Sequence, residues 1–258
     1  MARRNKWKRY PLFSLCRAGV STLAAKSAIG AKTEMLFDDP QKGTKDAEQP
    51  SHLRAMLTRV RTEREVVMIN PYFVPQKKFI DELVRMSKSG VKVRVLTNSL
   101  ASNDEPLVHI GYARYRPQLL RAGVDLYELS PTRVLLNKRL DLAIPGASLG
   151  RLHAKTAVID RSITFIGSMN LDPRSDSTNT ELGVIIHSAE FAREVLRVIN
   201  ISKLQSAYRL RFGPDGSSLQ WLTTDDNGEV ILYAEPDTTF MLRLQTMLYS
   251  PFVPEQEL

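Results

Sequence analysis

Three short apolar runs, EVVMIN at 65–70, VKVRVLTNS at 91–99 and VDLYEL at 124–129, are separated by stretches of helical periodicity, and this alternation constrains the fold more than any other feature. Runs this short and this apolar read as buried strands. The first is stopped by Pro71 and Pro75. After it, KKFIDELVRMSKSG sets Phe79, Leu83 and Met86 on one helical face and ends at Gly90. After the second run, a loop rich in Ser, Asn and Asp leads into HIGYARYRPQLLRAG, read as one helix with Pro117 against the pattern inside it. Residues 130–149 read as a loop and 151–170 as a strand pair. TELGVIIH is a further strand, SAEFAREVLRVIN a helix with Phe191, Val195 and Val198 spaced for burial, and LQWLTTDDNGEVILY a hairpin turning at Asn227-Gly228. The fold class is therefore α/β.

A chain of 258 residues, 43% hydrophobic, is long enough to bury a full core. Its most apolar long segment, PLFSLCRAGVSTLAAKSAIGA, is broken by Arg17 and Lys26, which argues against a membrane span. The single cysteine, Cys16, has no partner for a disulfide or a zinc site, so a cytoplasmic location is expected. The net charge of +8 comes from one end of the chain. Residues 1–32 hold eight basic side chains and no acid, while the other 28 basic residues are matched by 28 acids. Such an arm, followed by Leu12, Leu15, Val20 and Leu23, could lie on anionic lipid or touch nucleic-acid phosphates; the plainer reading is a solvated tail entering an ordinary amphipathic helix. A linker is expected at residues 37–51. The chain then divides into a basic N-terminal extension and connector, 1–50, and a catalytic part, 51–258.

The chemistry concentrates in RLHAKTAVIDRSITFIGSMN, residues 151–170. Side chains alternate along a strand, so His153 and Lys155 share a face while Asp160 falls at the turn. The return strand delivers Ser168 and Asn170 beside them, where Gly167 lets the backbone approach closely. An imidazole that can attack or protonate, an ammonium for an oxyanion, a hydroxyl and an amide make a phosphate-handling set. Asp160 is better placed to tie the turn than to touch substrate. Glu181, in the next strand, could hold the imidazole as a triad acid does.

His153-x-Lys155-x4-Asp160-x6-Gly167-Ser168-x-Asn170 resembles the signature of the phospholipase D superfamily. NPYFVP at 70–75, LTNSLASND at 96–104, VHIGYARYR at 108–116 and GSMNLDPRSDSTNTELGVII are similar to the C-terminal half of its bacterial cardiolipin-synthase-like members, over roughly residues 33–258. The resemblance implies a mixed sheet flanked by helices. It also implies exchange of a phosphodiester through a phosphohistidine, with no cofactor and no metal. On that reading His153, Lys155, Asp160 and Glu181 are catalytic, Lys155, Ser168 and Asn170 bind the phosphate, and the loop Ser99–Asp104 lines the headgroup pocket.

Two histidines are needed for that chemistry, and none of His52, His109 and His187 heads a second H-x-K motif. A second motif-bearing half or a homodimer partner is therefore expected, as is a truncated or split product of a two-motif protein. The expected substrate is a phospholipid met at a membrane surface, with the protein peripheral at the inner membrane. The alternatives are a homodimeric phosphodiesterase or nuclease, and an inactive half that only binds a partner. The neutral body disfavours nucleic acid, whose groove would spread basic side chains across the catalytic face.

Overall fold

The computed structural model describes residues 30–43, 60–138, 147–148, 150–199, 206–225 and 227–254. The helix expected around Leu12–Leu23, the second half of the expected linker and His52 lie outside them.

In chain order the described elements are β1 (Lys32–Phe37), β2 (Glu65–Ile69), α1 (Lys77–Lys88), β3 (Lys92–Asn98), α2 (Pro106–Ala113), α3 (Arg116–Arg121), β4 (Asp125–Leu129) and α4 (Pro131–Lys138). There follow β5 (Ala147–Ser148), β6 (Arg151–Leu152), β7 (Lys155–Ile159), β8 (Ile163–Gly167), α5 (Pro173–Ser177), β9 (Leu182–His187) and α6 (Ala189–Ile199). The chain continues through β10 (Ala207–Phe212), β11 (Leu219–Asp225), β12 (Gly228–Leu232) and α7 (Phe240–Tyr249). One ten-stranded sheet runs in the order β1-β9-β8-β7-β2-β3-β4-β10-β11-β12. Only β2, β3 and β4 are mutually parallel; their outer neighbours on both sides run antiparallel, so the sheet is mixed.

The parallel strands are apolar on both faces because helices cover both. All five residues of β2 are buried. Val66, Met68, Val93, Val95 and Leu126 pack on one side with Ile80 and Leu83 of α1 and Leu119 of α3. Val67, Ile69, Leu96, Tyr127 and Leu129 pack on the other with Val134 of α4 and Ile199 of α6. Helices α1 and α3 end alike. Gly90 and Gly123 take φ of +91° and +83°, and the amides of Val91 and Val124 turn back to the carbonyls of Met86 and Leu119.

Four sequence expectations change. The helix drawn through Pro117 is two helices: with no N–H and a ring that crowds the preceding turn, Pro117 sits in the first turn of α3, and the chain breaks at Arg114–Tyr115. The loop expected at 130–149 begins with α4, entered through Pro131 and capped by Ser130, whose hydroxyl accepts from the amide of Arg133 at 3.2 Å. The hairpin turn sits one residue earlier than expected, because Asp225 pairs with Gly228. Residues 32–37, read as part of an extension and connector, form β1, which pairs along its whole length with β9 in the main sheet.

Beneath α2 and α3 lies a buried charge network. The Arg116 guanidinium meets Glu128 at 2.7 Å and Glu235, contacts His109 Nε2 at 3.0 Å, and faces the rings of Tyr112 and Trp221. Trp221 donates to Glu128 at 2.9 Å. His109 and the tyrosines 112 and 127 are thus core groups.

Asp160 opens the three-residue turn between β7 and β8, with φ of +48°. Its carboxylate accepts from the amides of Glu63, Arg64 and Glu65 at 2.8–2.9 Å. Burial works to raise its pKa, and the three amides outweigh burial, so the carboxyl lies below the usual range. A depressed carboxyl contributes stability above the unfolded value and loses it as pH falls through the folded one. Asp160→Gly keeps the left-handed turn free of strain and removes only the acceptor; it should cost about 2 kcal/mol near neutral pH. Urea denaturation should show the deficit shrinking below pH ~4.

Candidate active site

The parallel strands end where antiparallel β7 begins, and β8 ends and β9 begins at the same edge. His153, Lys155, Ser168, Asn170 and Glu181 therefore gather at the carboxyl ends of β2 and β3, the edge where open α/β sheets place their ligands. Asp160 is at the other end of β7, about 16 Å away along the strand. Expected among the catalytic residues, it stands apart from the other four and fastens the far turn to the approach of β2.

His153 is not inside a strand; it occupies the break between β6 and β7 and is exposed. Its Nε2 lies 3.5 Å from Lys155 Nζ, and the ammonium also donates to the His153 carbonyl at 3.1 Å. Among the described residues neither side chain has a carboxylate in contact. Burial lowers the pKa of Lys155, and the negative charges of Glu181, Asp172 and Asp104 offset this only in part. A half-buried cation with acids near it but none upon it is arranged for an arriving anion.

Two asparagines hold the limbs of this site. Asn98, at the end of β3, accepts from the amide of Leu152 at 2.9 Å and donates to its carbonyl at 3.2 Å, which fixes the residue before His153. Asn70, just past β2, donates to the Met169 carbonyl at 3.2 Å and accepts from the Leu171 amide at 3.1 Å, which fixes both neighbours of Asn170. The Oδ1 of Asn170 is itself buried with no partner. Gly167 serves the close approach expected of it: a Cβ there would lie 2.6 Å from the Leu182 carbonyl and from the Phe165 ring.

Ser168 and Glu181 engage each other. The Ser168 hydroxyl donates to Glu181 and accepts from the Leu182 amide at 3.0 Å, while Ser175 donates to the other Glu181 oxygen at 2.9 Å. No hydrogen bond joins Glu181 to His153. Here the carboxylate acts on Lys155 through its charge, and Ser168 is a support for Glu181 rather than a free donor. Asp172 lies beside this pair, capping α5 through the Ser175 amide at 2.7 Å; burial pushes its carboxyl up, and Ser175 restrains the rise. Tyr72 donates to Asp104 at 2.8 Å, which carries the loop Ser99–Asp104 to the rim of the site. Among the described residues no three His, Cys, Asp or Glu side chains converge as metal ligands.

The clamp beneath Glu181 was not anticipated. Asp38 and Lys42 form an ion pair of 2.5 Å with side chains 0% and 2% exposed; Lys42 also donates to the Ser175 carbonyl at 2.8 Å, and Asp38 accepts from the Glu181 amide at 3.2 Å. These residues stand in the expected linker. The signal was present as an acid and a lysine at i, i+4 spacing, but nothing local marks them as buried.

Residues 53–201 match the family described as cardiolipin synthase, PLD-like domain. Cardiolipin synthase C of Escherichia coli strain K12 is 42% identical over 224 residues, 86% of this chain and 47% of that protein. Cardiolipin synthase B of the same strain is 30% identical over 62% of this chain and 33% of its own length. This chain thus spans about half the length, or less, of the curated relatives it matches. Phosphatidylserine synthase of Haemophilus influenzae Rd KW20 has the same fold, with a TM-score of 0.54 at 15% identity over all of this chain and 57% of that one.

Removing one partner of the Asp38–Lys42 pair leaves a buried charge. Asp38→Asn should cost about 3–5 kcal/mol, whereas Asp38→Leu combined with Lys42→Met should cost much less, as read by urea denaturation of the three proteins.

Proposed function

Because the chain belongs to the cardiolipin synthase family of phospholipase D-like domains, we propose that it forms one catalytic half of a phosphatidyltransferase that acts on phospholipid at a membrane surface. The observation that carries this reading is the pair at the sheet edge: an exposed imidazole 3.5 Å from a half-buried ammonium that has, among the described residues, no carboxylate in contact.

In the proposed reaction one histidine attacks phosphorus, an N–P bond forms, and the P–O bond to the leaving alcohol breaks. A second histidine gives its proton to the departing oxygen. The acceptor, a lipid alcohol such as phosphatidylglycerol, then attacks phosphorus, the N–P bond breaks, and the second histidine takes the acceptor's proton back. Lys155 neutralises the non-bridging oxygens, which bear most charge in the transition state. Asn170 completes the cradle through its amide, and Glu181 keeps Lys155 charged.

His153 is one of the two histidines. His109 is buried in the Arg116 network, and His187 pairs with Glu34 at the opposite end of β9, so neither reaches the site. The second imidazole comes from another copy of the motif. Beside Ser168 the sheet exposes Met35, Phe37, Ile166 and Leu182, which lie in adjacent cross-strand rows of β1, β9 and β8. Such an apolar patch next to an incomplete site is the proposed seat of the second half. Among the described residues no helix is long and apolar enough to cross a membrane, and the proposed membrane contact is peripheral.

His153→Ala and Lys155→Ala in the assembled enzyme should each reduce turnover by ~10³-fold or more with the fold intact, while chelators leave it unchanged. Acid-labile label from the substrate phosphate, trapped on His153, makes it the nucleophile; on the partner's motif histidine, it makes His153 the acid; on neither, the proposal fails. Since burial holds Lys155 below its ordinary value, KM should begin to rise with pH below 10.5, and that limb should vanish in Lys155→Arg. Phe37→Asp should weaken pairing of the halves at least tenfold by sedimentation.

A further inference from the structure

Helix α7 is held unlike the rest of the molecule. A surface helix normally stays in place by burying an apolar face. No residue of α7 is buried. Its apolar stripe, Phe240, Met241, Leu244, Met247 and Leu248, continues into Phe252; Leu244 is half-buried and the others are open, with Phe252 81% and Phe240 70% exposed.

Polar contacts fix its two ends instead. At the start, Thr239 caps the Leu242 amide at 3.2 Å, and Arg243 donates to the carbonyl and hydroxyl of Thr238 at 3.1 and 3.0 Å. At the end, Arg114, just past α2, donates to the Ser250 carbonyl and to that of Val253 at 2.9 Å. The preceding segment is tied to the core through Glu235 and Arg116. The stripe is therefore a fixed surface and not a frayed end.

Its position ties it to the site. Val253 is buried with Val74, Val108 and Ile110, and Tyr72 packs against that cluster. The Tyr72 hydroxyl bonds Asp104, whose charge reaches Lys155. From Thr238 to Pro254 the only formal charge is Arg243; of the flanking acids, Asp237 is bound to the hydroxyls of Ser130 and Tyr208, and Glu255 and Glu257 follow the stripe in sequence. The proposed seat of the second half is a different one, the patch on β1, β9 and β8 beside Ser168.

We propose that the stripe Phe240–Phe252 is a lipid-docking surface, which enters the outer part of an anionic bilayer and sets the His153–Lys155 edge at headgroup level. This rests on the reading of the site as one that acts on phospholipid. Aromatic and methionine side chains displace interfacial lipid, while Arg243 sits at the phosphates.

The test uses His153→Ala protein, so that turnover cannot alter the vesicles. Sedimentation with phosphatidylglycerol–phosphatidylcholine vesicles, at low and high salt, compares it with the same protein carrying Met241→Ser and Leu248→Ser. A fall in partitioning of at least ~10-fold at both salts, with an unchanged urea midpoint, is expected. In a separate variant, Met247→Trp emission should shift to the blue on vesicles and be quenched by bromine on the acyl chains. Unchanged partitioning, or a Met247→Trp signal indifferent to vesicles, overturns the proposal. So does a result in which the serine pair breaks up an oligomer and leaves vesicle binding intact, since the stripe would then seat protein. Trapping phosphate on histidine from a short-chain substrate dispersed as monomers tests the chemistry separately, because that step needs no bilayer.

Discussion

The site depends on two asparagines that do the work of strands. Past the ends of β2 and β3 the main ladder stops, and besides these two side chains the backbone amides and carbonyls around Leu152, Met169 and Leu171 meet only the short strand β5 and an isolated bridge to Phe73. Left buried and unpaired, each would cost on the order of 1–3 kcal/mol. Asn98 and Asn70 answer them with both ends of their amides, as a strand would with its own N–H and C=O. The loops bearing His153 and Asn170 are held to hydrogen-bond tolerance without being part of the sheet. The reactive side chains remain accessible while the backbone beneath them stays fixed.

Electrostatics follow from that scaffold. Glu181, Asp172 and Asp104 surround Lys155 at a remove, each already committed to a hydroxyl or an amide. Their charges offset part of the burial that favours the neutral amine, yet none competes with an anion for its protons. If any of them formed a contact pair with Lys155, substrate would have to break a buried ion pair to bind.

Much of this was legible in the sequence where burial leaves a local pattern. Strands β2, β3 and β4 are apolar because both faces are covered, and β7, β8 and β9 follow from the motif and its turn. Strand β1 was missed because Leu36 is its only buried side chain, and α7 because it buries none, so neither carries the periodicity that burial selects. Helix α4 has a usable signal in Ser130-Pro131 ahead of Val134. In the site, parity along one strand brought His153 and Lys155 together and sent Asp160 to the turn. The supports could not be read this way. Asn98 acts across 54 residues, Asn70 across 101 and Lys42 across 133, and such contacts leave no trace in the spacing of neighbours.

The attachment of β1 has a consequence for how the protein opens. An edge strand with one buried side chain is held by its ladder and by the Asp38–Lys42 pair, so it belongs to the low-stability margin of the sheet. Whenever it peels away, Asp38 leaves the Glu181 amide and Lys42 leaves the Ser175 carbonyl. Amide hydrogens of β1 and of the loop before Glu181 should then exchange with solvent together, at a free energy well short of global unfolding. The catalytic edge would breathe before the central strands open, and any partner laid across Met35 and Phe37 would slow that exchange.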